Sequence, residues 1–439
     1  MMNNKFIKIT GLIVSVMLMF MLAGCDLLNN SDDKKDDGTP VTGDEEVLTG
    51  PISSNRTLGV LYGRKNYVYN GSSMLAVQNS AVLTILPGTT IRFSNPNGGI
   101  RIDNGSALIA EGLPKLLDSG GSIIQIGGVD LDGHIKLYGG TGKGYWTGLA
   151  FSTSTENRLK YVDIVNAGRV SNNAVIYLGG GSYIPTLYMD YCLIDGGNNL
   201  GIDVNTGNAA SSIKSFTYNT IKNCKIPIWV RGITNLRNFD NTSDYINNED
   251  NTINVSTTPP LSGNMDLWPS KIPYRLTGTT SNHNISAGAV LTIKPGVTFW
   301  MDASTSIVAD GAILAQGTAG EGQITFTRPQ GSLSTWNFIR VRADSSSSFT
   351  HCLMEYGGLY RASSNDTGIF DVTQTGSTVT LNNVTIQHSQ SVGVSFQAGA
   401  KSITATDVTF NDLANGHYSV TFSPTTPVNN VAWSGTMSR

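Results

Sequence analysis

Residues 81–90 read AVLTILPGTT and residues 289–298 read AVLTIKPGVT, identical at eight of ten positions. In each copy two apolar residues, Leu83 and Ile85 or Leu291 and Ile293, flank a threonine, the period-two pattern of a strand with one buried face. Pro-Gly then turns the chain out of the strand. A shared phosphate loop, a shared ligand site or a shared structural unit would each write a decapeptide twice, and the flanks separate them. Similarity does not stop at the edges. Residues 146–168 (WTGLAFSTSTENRLKYVDIVNAG) align without a gap to 336–358 (WNFIRVRADSSSSFTHCLMEYGG), placing Trp146 on Trp336, Leu159 on Phe349, Val162 on Cys352, Ile164 on Met354 and Gly168 on Gly358. Leu187, Cys192, Ile194, Gly201, Ile202 and Val204 fall likewise on Val379, Val384, Ile386, Gly393, Val394 and Phe396. An internal duplication covers most of the chain.

A finer period lies inside each copy: Ile164, Ile194 and Ile221 in the first, Met354, Ile386 and Phe410 in the second, recur every 24 to 32 residues. Repeats of this length with two or three short strands bury their apolar faces only by stacking. The pattern predicts a parallel β-solenoid with coils about 4.8 Å apart. Glycine is abundant at 49 residues, charged residues are only 14%, and no helical period is sustained, so the class is all-β. Cys192 and Cys352 fall on inward rows and read as buried thiols; a local Cys192–Cys224 bridge stays open, since three cysteines at irregular spacing form no framework.

The succession LTI-PG-T (83–90, 291–298), LIAEG or ILAQG (108–112, 313–317), ITF (324–326), Trp before an apolar strand (146, 336) and L-YV-I--AG (159–168) resembles bacterial right-handed parallel β-helix repeat proteins of the pectin-lyase-like superfamily. The resemblance implies a right-handed parallel β-helix built from two duplicated arrays, in a family whose members are often secreted or lipid-anchored. LSGNMDLWPSKIPYRLTG (261–278) resembles the lead-in to a new array, giving a first array at 47–260 and a second at 261–439. Residues 418–439 show no clear cap over the last coil, so assembly through that end is a further expectation.

The ends of the chain speak of location. Lys5 and Lys8 precede an apolar stretch, Leu12 to Ala23, too short to span a bilayer as a helix, which needs about 20 residues. It closes in Leu22-Ala23-Gly24-Cys25, which resembles the lipobox of bacterial lipoproteins. That resemblance implies a signal peptide at 1–24, lipidation of Cys25, and attachment to a membrane through it; the alternative is an ordinary secretory signal with a chance cysteine. Residues 25–46 read as an acidic flexible tether. Asp26 resembles an inner-membrane retention signal and SDDKKDD (31–37) an acidic surface-export signal; the second suits a long tether better, so the expected place is the outer membrane or cell surface. Residues 1–46 hold four of the 29 Lys+Arg and eight of the 32 Asp+Glu, which leaves the body near neutrality and argues against nucleic acid or an anionic membrane as the main partner.

Catalytic motifs of the resembling family are missing. Gly133-His134 is followed by Ile135, Arg101-Ile102 by Asp103, and Trp229-Val230-Arg231-Gly232 lacks the aspartate-histidine strand and proline of the lyases. Where the copies differ, 113–133 is an insertion in the first; it ends in Asp130-Leu131-Asp132-Gly133, a plain turn or, less well, part of a Ca2+ site. GGTGKG (139–144) lacks the Ser or Thr of a phosphate loop. With Val162, Ile164, Cys192 and Ile194 inward, Tyr161, Asp163, Tyr191 and Asp195 point outward on successive coils. The tyrosines then stack about 5 Å apart, and Asp163 and Asp195 stand about 8 Å apart, inside the ~6.5–9.5 Å window of an inverting carboxylate pair. Ordinary surface stacking, glycan contact by Tyr161 and Tyr191, and catalysis by Asp163 and Asp195 are three readings of this row, and Leu193 between them leaves room for a covering loop. The sequence therefore predicts a non-catalytic, lipid-anchored β-helix displaying a surface for glycan binding or cell-surface adhesion, or serving as a spacer, with polysaccharide or surface glycan as the expected partner and a polysaccharide lyase or glycoside hydrolase as the alternative.

Overall fold

The computed structural model describes residues 45–434 apart from 60–64, 119, 121, 127–128, 131, 170–173, 180–182, 208–210, 279–281, 343–344, 359–367, 374–376, 398–401, 415–417 and 422–430. The leader, Cys25 and nearly all of the tether lie outside the described residues. The rest is a parallel β-solenoid of about 11 turns with 2% helix.

Each coil of the first array contributes three short strands. Val82–Ile85, Thr89–Phe93 and Gly99–Ile102 make one coil, and each stacks in parallel register on its successor. The alternation of side chains sets which residues meet: Leu83 and Ile85 point in and are 0% and 1% exposed, while Thr84 points out. The second decapeptide folds the same way over Val290–Ile293. Gly88 and Gly296 turn at φ +74° and +84°, a region open to glycine at little cost.

The duplicated tryptophans do identical work. Trp146 and Trp336 are fully buried, and their indole N–H groups donate to the carbonyls of Val165 and Glu355 at 2.8 Å. A buried Trp needs that partner. Inward rows are almost all apolar and close-packed, His283 being one buried exception, with Phe93 stacking on Trp146 at 4.1 Å and Phe299 on Phe326 at 5.1 Å. Buried asparagines complete the corners in place of backbone: Asn219 accepts from the Cys192 N–H at 2.9 Å and donates to the Met189 carbonyl at 2.8 Å. The three thiols are free and buried, so no Cys192–Cys224 bridge forms. Burial pushes Cys224 up to about 11 and Cys352 to about 12, with Cys192 raised further.

The arrays meet without a seam on one face. Ile253–Ser256, the last strand of the first array, pairs at once with Ile226–Arg231 before it and Tyr274–Leu276 after it. The latter begins a stack that runs through Thr298–Met301, Ile324–Thr327 and the C-terminal halves of Ser346–Glu355, Thr378–Ser389 and Ser402–Leu413. One ladder thus runs from Leu75–Val77 to residues 408–411. Val431–Ser434 stacks on Ser402–Leu413 as the last described strand.

Candidate functional site

Tyr161 and Tyr191 stack at 4.9 Å, and a third ring, Tyr218, continues the stack at 4.9 Å. His134 lies tilted against the other end, 5.6 Å from Tyr161. All three tyrosines occupy corners at positive φ, +50°, +57° and +55°, where a bulky residue costs about 1–2 kcal/mol. The aligned corners of the second array, His351, Asn383 and Asp407, share that backbone with residues that tolerate it better. Backbone preference therefore does not select the tyrosines; stacking, about 0.5–1.5 kcal/mol per pair, offsets the strain. The inner ring faces cover one another. The free aromatic face is the outer side of Tyr218, which is 55% exposed with Thr242 on the next coil. Sequence reasoning stopped at two tyrosines; the 27-residue step from Tyr191 to Tyr218 carried the signal for the third.

The aspartates keep the expected register, Asp163 opposite Leu193 and Asp195 opposite Val165. Their surroundings differ from an open carboxylate pair. Asp163 points away from the core yet is only 8% exposed, because the His134 ring lies against it with Nδ1 at 2.8 Å from Oδ1. Asp195 is held by Lys222 Nζ at 3.1 Å and by the Asn223 side-chain amide, which donates at 2.7 Å. Each carboxylate is tied to a neighbouring coil, an arrangement that fastens the stack.

The insertion leaves the solenoid at Gly112 and returns at Gly133, its base closed by the Leu113 N–H donating to the Gly133 carbonyl at 2.9 Å. Asp130 lies in Val129–Asp130, antiparallel to Gln125–Ile126. Asp132 is buried; burial opposes its charge, but Lys136 Nζ at 2.8 Å and the His134 N–H at 3.1 Å hold its carboxyl below the ordinary range. Among the described residues no three His, Cys, Asp or Glu side chains gather as a metal would need. The carboxylate expected to meet Ca2+ is occupied by a lysine.

A second row escaped the sequence reading. Along the ladder that crosses both arrays, Arg101, Ala150, Tyr177, Asp203, Trp229, Asn254, Arg275, Trp300, Thr327, Glu355 and Gln387 succeed one another outward, one per coil. Tyr177, Trp229 and Trp300 are half-buried, their edges turned to solvent. Asp203 sits between Tyr177 and Trp229 on adjacent coils, and burial pushes its carboxyl up to about 6 against the weaker pull of Arg231. It makes no hydrogen bond or ion pair to a described residue. Further along, a recess of 460 Å³ opens between Trp300, Thr327, Arg328, Gln330, Leu333 and Tyr356. The Arg328 guanidinium lies 4.0 Å over the Tyr356 ring and makes no hydrogen bond or ion pair to a described residue. Glu355 beside it is engaged on both oxygens, accepting from Thr327 Oγ1 and Gln387 Nε2 at 2.8 Å each. The recess is shallow and open, its aromatic walls Trp300 and Tyr356 interleaved with the polar side chains of Thr327, Arg328, Gln330 and Ser332.

Comparison of the chain with known protein families, with curated proteins and with solved structures finds no match.

Proposed function

We propose that the protein is a cell-envelope lipoprotein, attached through Cys25, whose β-solenoid binds glycan without cleaving it. The pectin-lyase-like kinship suggested by the sequence is part of this reading. The observation that carries it is the outward row with its recess: aromatic rings for the apolar faces of sugars, strands that hold Tyr177, Trp229 and Trp300 across many coils, and beside them Arg328, stacked on Tyr356 just past a strand end, for sugar oxygens. Tyr218 offers a second contact at the end of the tyrosine stack. Glycan-array binding by the mature chain tests it, with Trp300→Ala and Arg328→Ala expected to abolish the signal and Tyr218→Ala to weaken it. Unchanged binding in both recess variants would remove the row from the reading. Palmitate labelling of Cys25, with protease treatment of intact cells, tests anchoring and surface exposure.

Polysaccharide cleavage is the second reading, favoured by Asp203. A carboxyl raised to about 6 between two aromatic side chains is suited to donate a proton near neutrality. If the chain cleaves a polysaccharide, Asp203→Asn abolishes cleavage, whereas Asp163→Asn and Asp195→Asn leave the chemistry in place.

A further inference from the structure

The insertion exposes what the rest of the solenoid hides. Among the described residues seven aliphatic side chains are exposed, and five of them are Val47, Leu113, Leu116, Leu117 and Ile124. The last four lie within twelve residues of the insertion and outside the apolar core. They project from an ordered ribbon. The Ile124 N–H donates to the Leu116 carbonyl and the Asp118 N–H to the Ser122 carbonyl, each at 2.8 Å, and Asp118 Oδ1 closes the turn by accepting from the Gly120 and Ser122 N–H groups.

The coil does not need this ribbon. In the second array the same corner closes within Gly317–Gln323, the Gly317 N–H donating to the Thr350 carbonyl as the Gly112 N–H does to that of Lys160. A two-stranded ribbon with its apolar side chains in water is marginal on its own, and clustered exposed apolar side chains mark an interaction site.

The position of the chain's entry points to the occupant. Glu46–Val47, Lys65–Tyr69, Thr89–Phe93 and Ile135–Tyr138 are consecutive in one sheet. The entering strand, with exposed Val47, and the returning end of the insertion are therefore three ladder steps apart, about 14 Å. Residues 25–44 reach at most about 70 Å when fully extended. An acyl group on Cys25 would keep the ribbon continually within reach of the bilayer that holds it.

We propose that this ribbon docks the first coils on the lipid surface edge-on, Leu116 and Ile124 on one of its faces and Leu117 on the other entering the headgroup boundary as the second of two membrane contacts. The proposal rests on the lipoprotein reading of Cys25, and the test separates the two. The mature chain with Cys25→Ser, which carries no acyl group, is floated with vesicles of phosphatidylethanolamine and phosphatidylglycerol, alongside the same chain with Leu116→Ser and Leu117→Ser. The expected result is flotation of the first and at least a roughly tenfold lower bound fraction for the second, with identical melting curves because neither leucine is in the core. Flotation of neither chain, or of both equally, overturns the proposal. A concentration-dependent dimer seen by sedimentation, lost in the double variant and unaccompanied by flotation, also overturns it and assigns the ribbon to a second copy. Palmitate labelling reads the anchor separately: an unlabelled wild-type chain defeats the Cys25 reading whatever the vesicles show.

Discussion

At the residue scale, two buried ionisable groups pull stability in opposite directions over nearly the same pH range. His283 points into the core of the second array, and desolvation lowers it to about 4, with only the Thr277 backbone favouring its charged form. As pH falls from 6.5 to 4 the unfolded chain binds a proton that the folded chain refuses, a loss of about 3 kcal/mol. Asp203, raised to about 6, does the reverse. The folded chain holds its proton more tightly than the unfolded one, so about 3 kcal/mol present at low pH is lost as pH rises from 3.8 to about 6. The wild-type profile conceals both, and single variants separate them. Asp203→Asn is expected to raise the melting temperature at pH 7 and leave it unchanged near pH 3.5. His283→Leu is expected to stabilise most below pH 4.5. A flat difference from wild type in either variant contradicts the assignment. Alternation in LGIDVN and IPIWVR already put Asp203 and Trp229 outward; what the sequence lacked was a reason to join strands 26 residues apart into one row.

At the scale of elements, the strand pattern was legible wherever a period of two met a turn, and the aligned tryptophans were its surest marks. Trp146 and Trp336 each reach the carbonyl nineteen residues on, so the two aligned tryptophans make the same hydrogen bond. Trp336→Phe keeps most of the packing but leaves the Glu355 carbonyl without its indole donor. The expected cost is about 1–3 kcal/mol in chemical denaturation, against about 3–5 for Trp336→Ala. A cost near zero for Trp336→Phe would mean that packing alone holds the corner. The insertion was legible as a gap in the alignment but not as a ribbon, because its pairing is antiparallel and local, unlike the other pairings among the described residues. The burial of Asp163 was illegible for a related reason: His134 reaches it from the position between the insertion and the strand Ile135–Tyr138.

At the scale of the whole molecule, duplication gave two arrays, and the shared ladder through Ile253–Ser256 joins them more closely than a repeat boundary suggests. Nearest-neighbour coupling in a solenoid makes stability a sum over coils and interfaces. With the junction paired on both sides, calorimetry is expected to show one transition for both arrays. Two well-separated transitions would mean that the junction is the weakest interface. The continuity also fixes a distance. Eight ladder steps separate Leu75–Val77, near where the chain enters, from Thr298–Met301, which carries Trp300. At the spacing of paired strands that is about 38 Å. On the proposed reading the solenoid is a boom: a glycan held at Trp300 would stand at a constant distance from the point where the chain enters, and a pull on it would load every coil between in series.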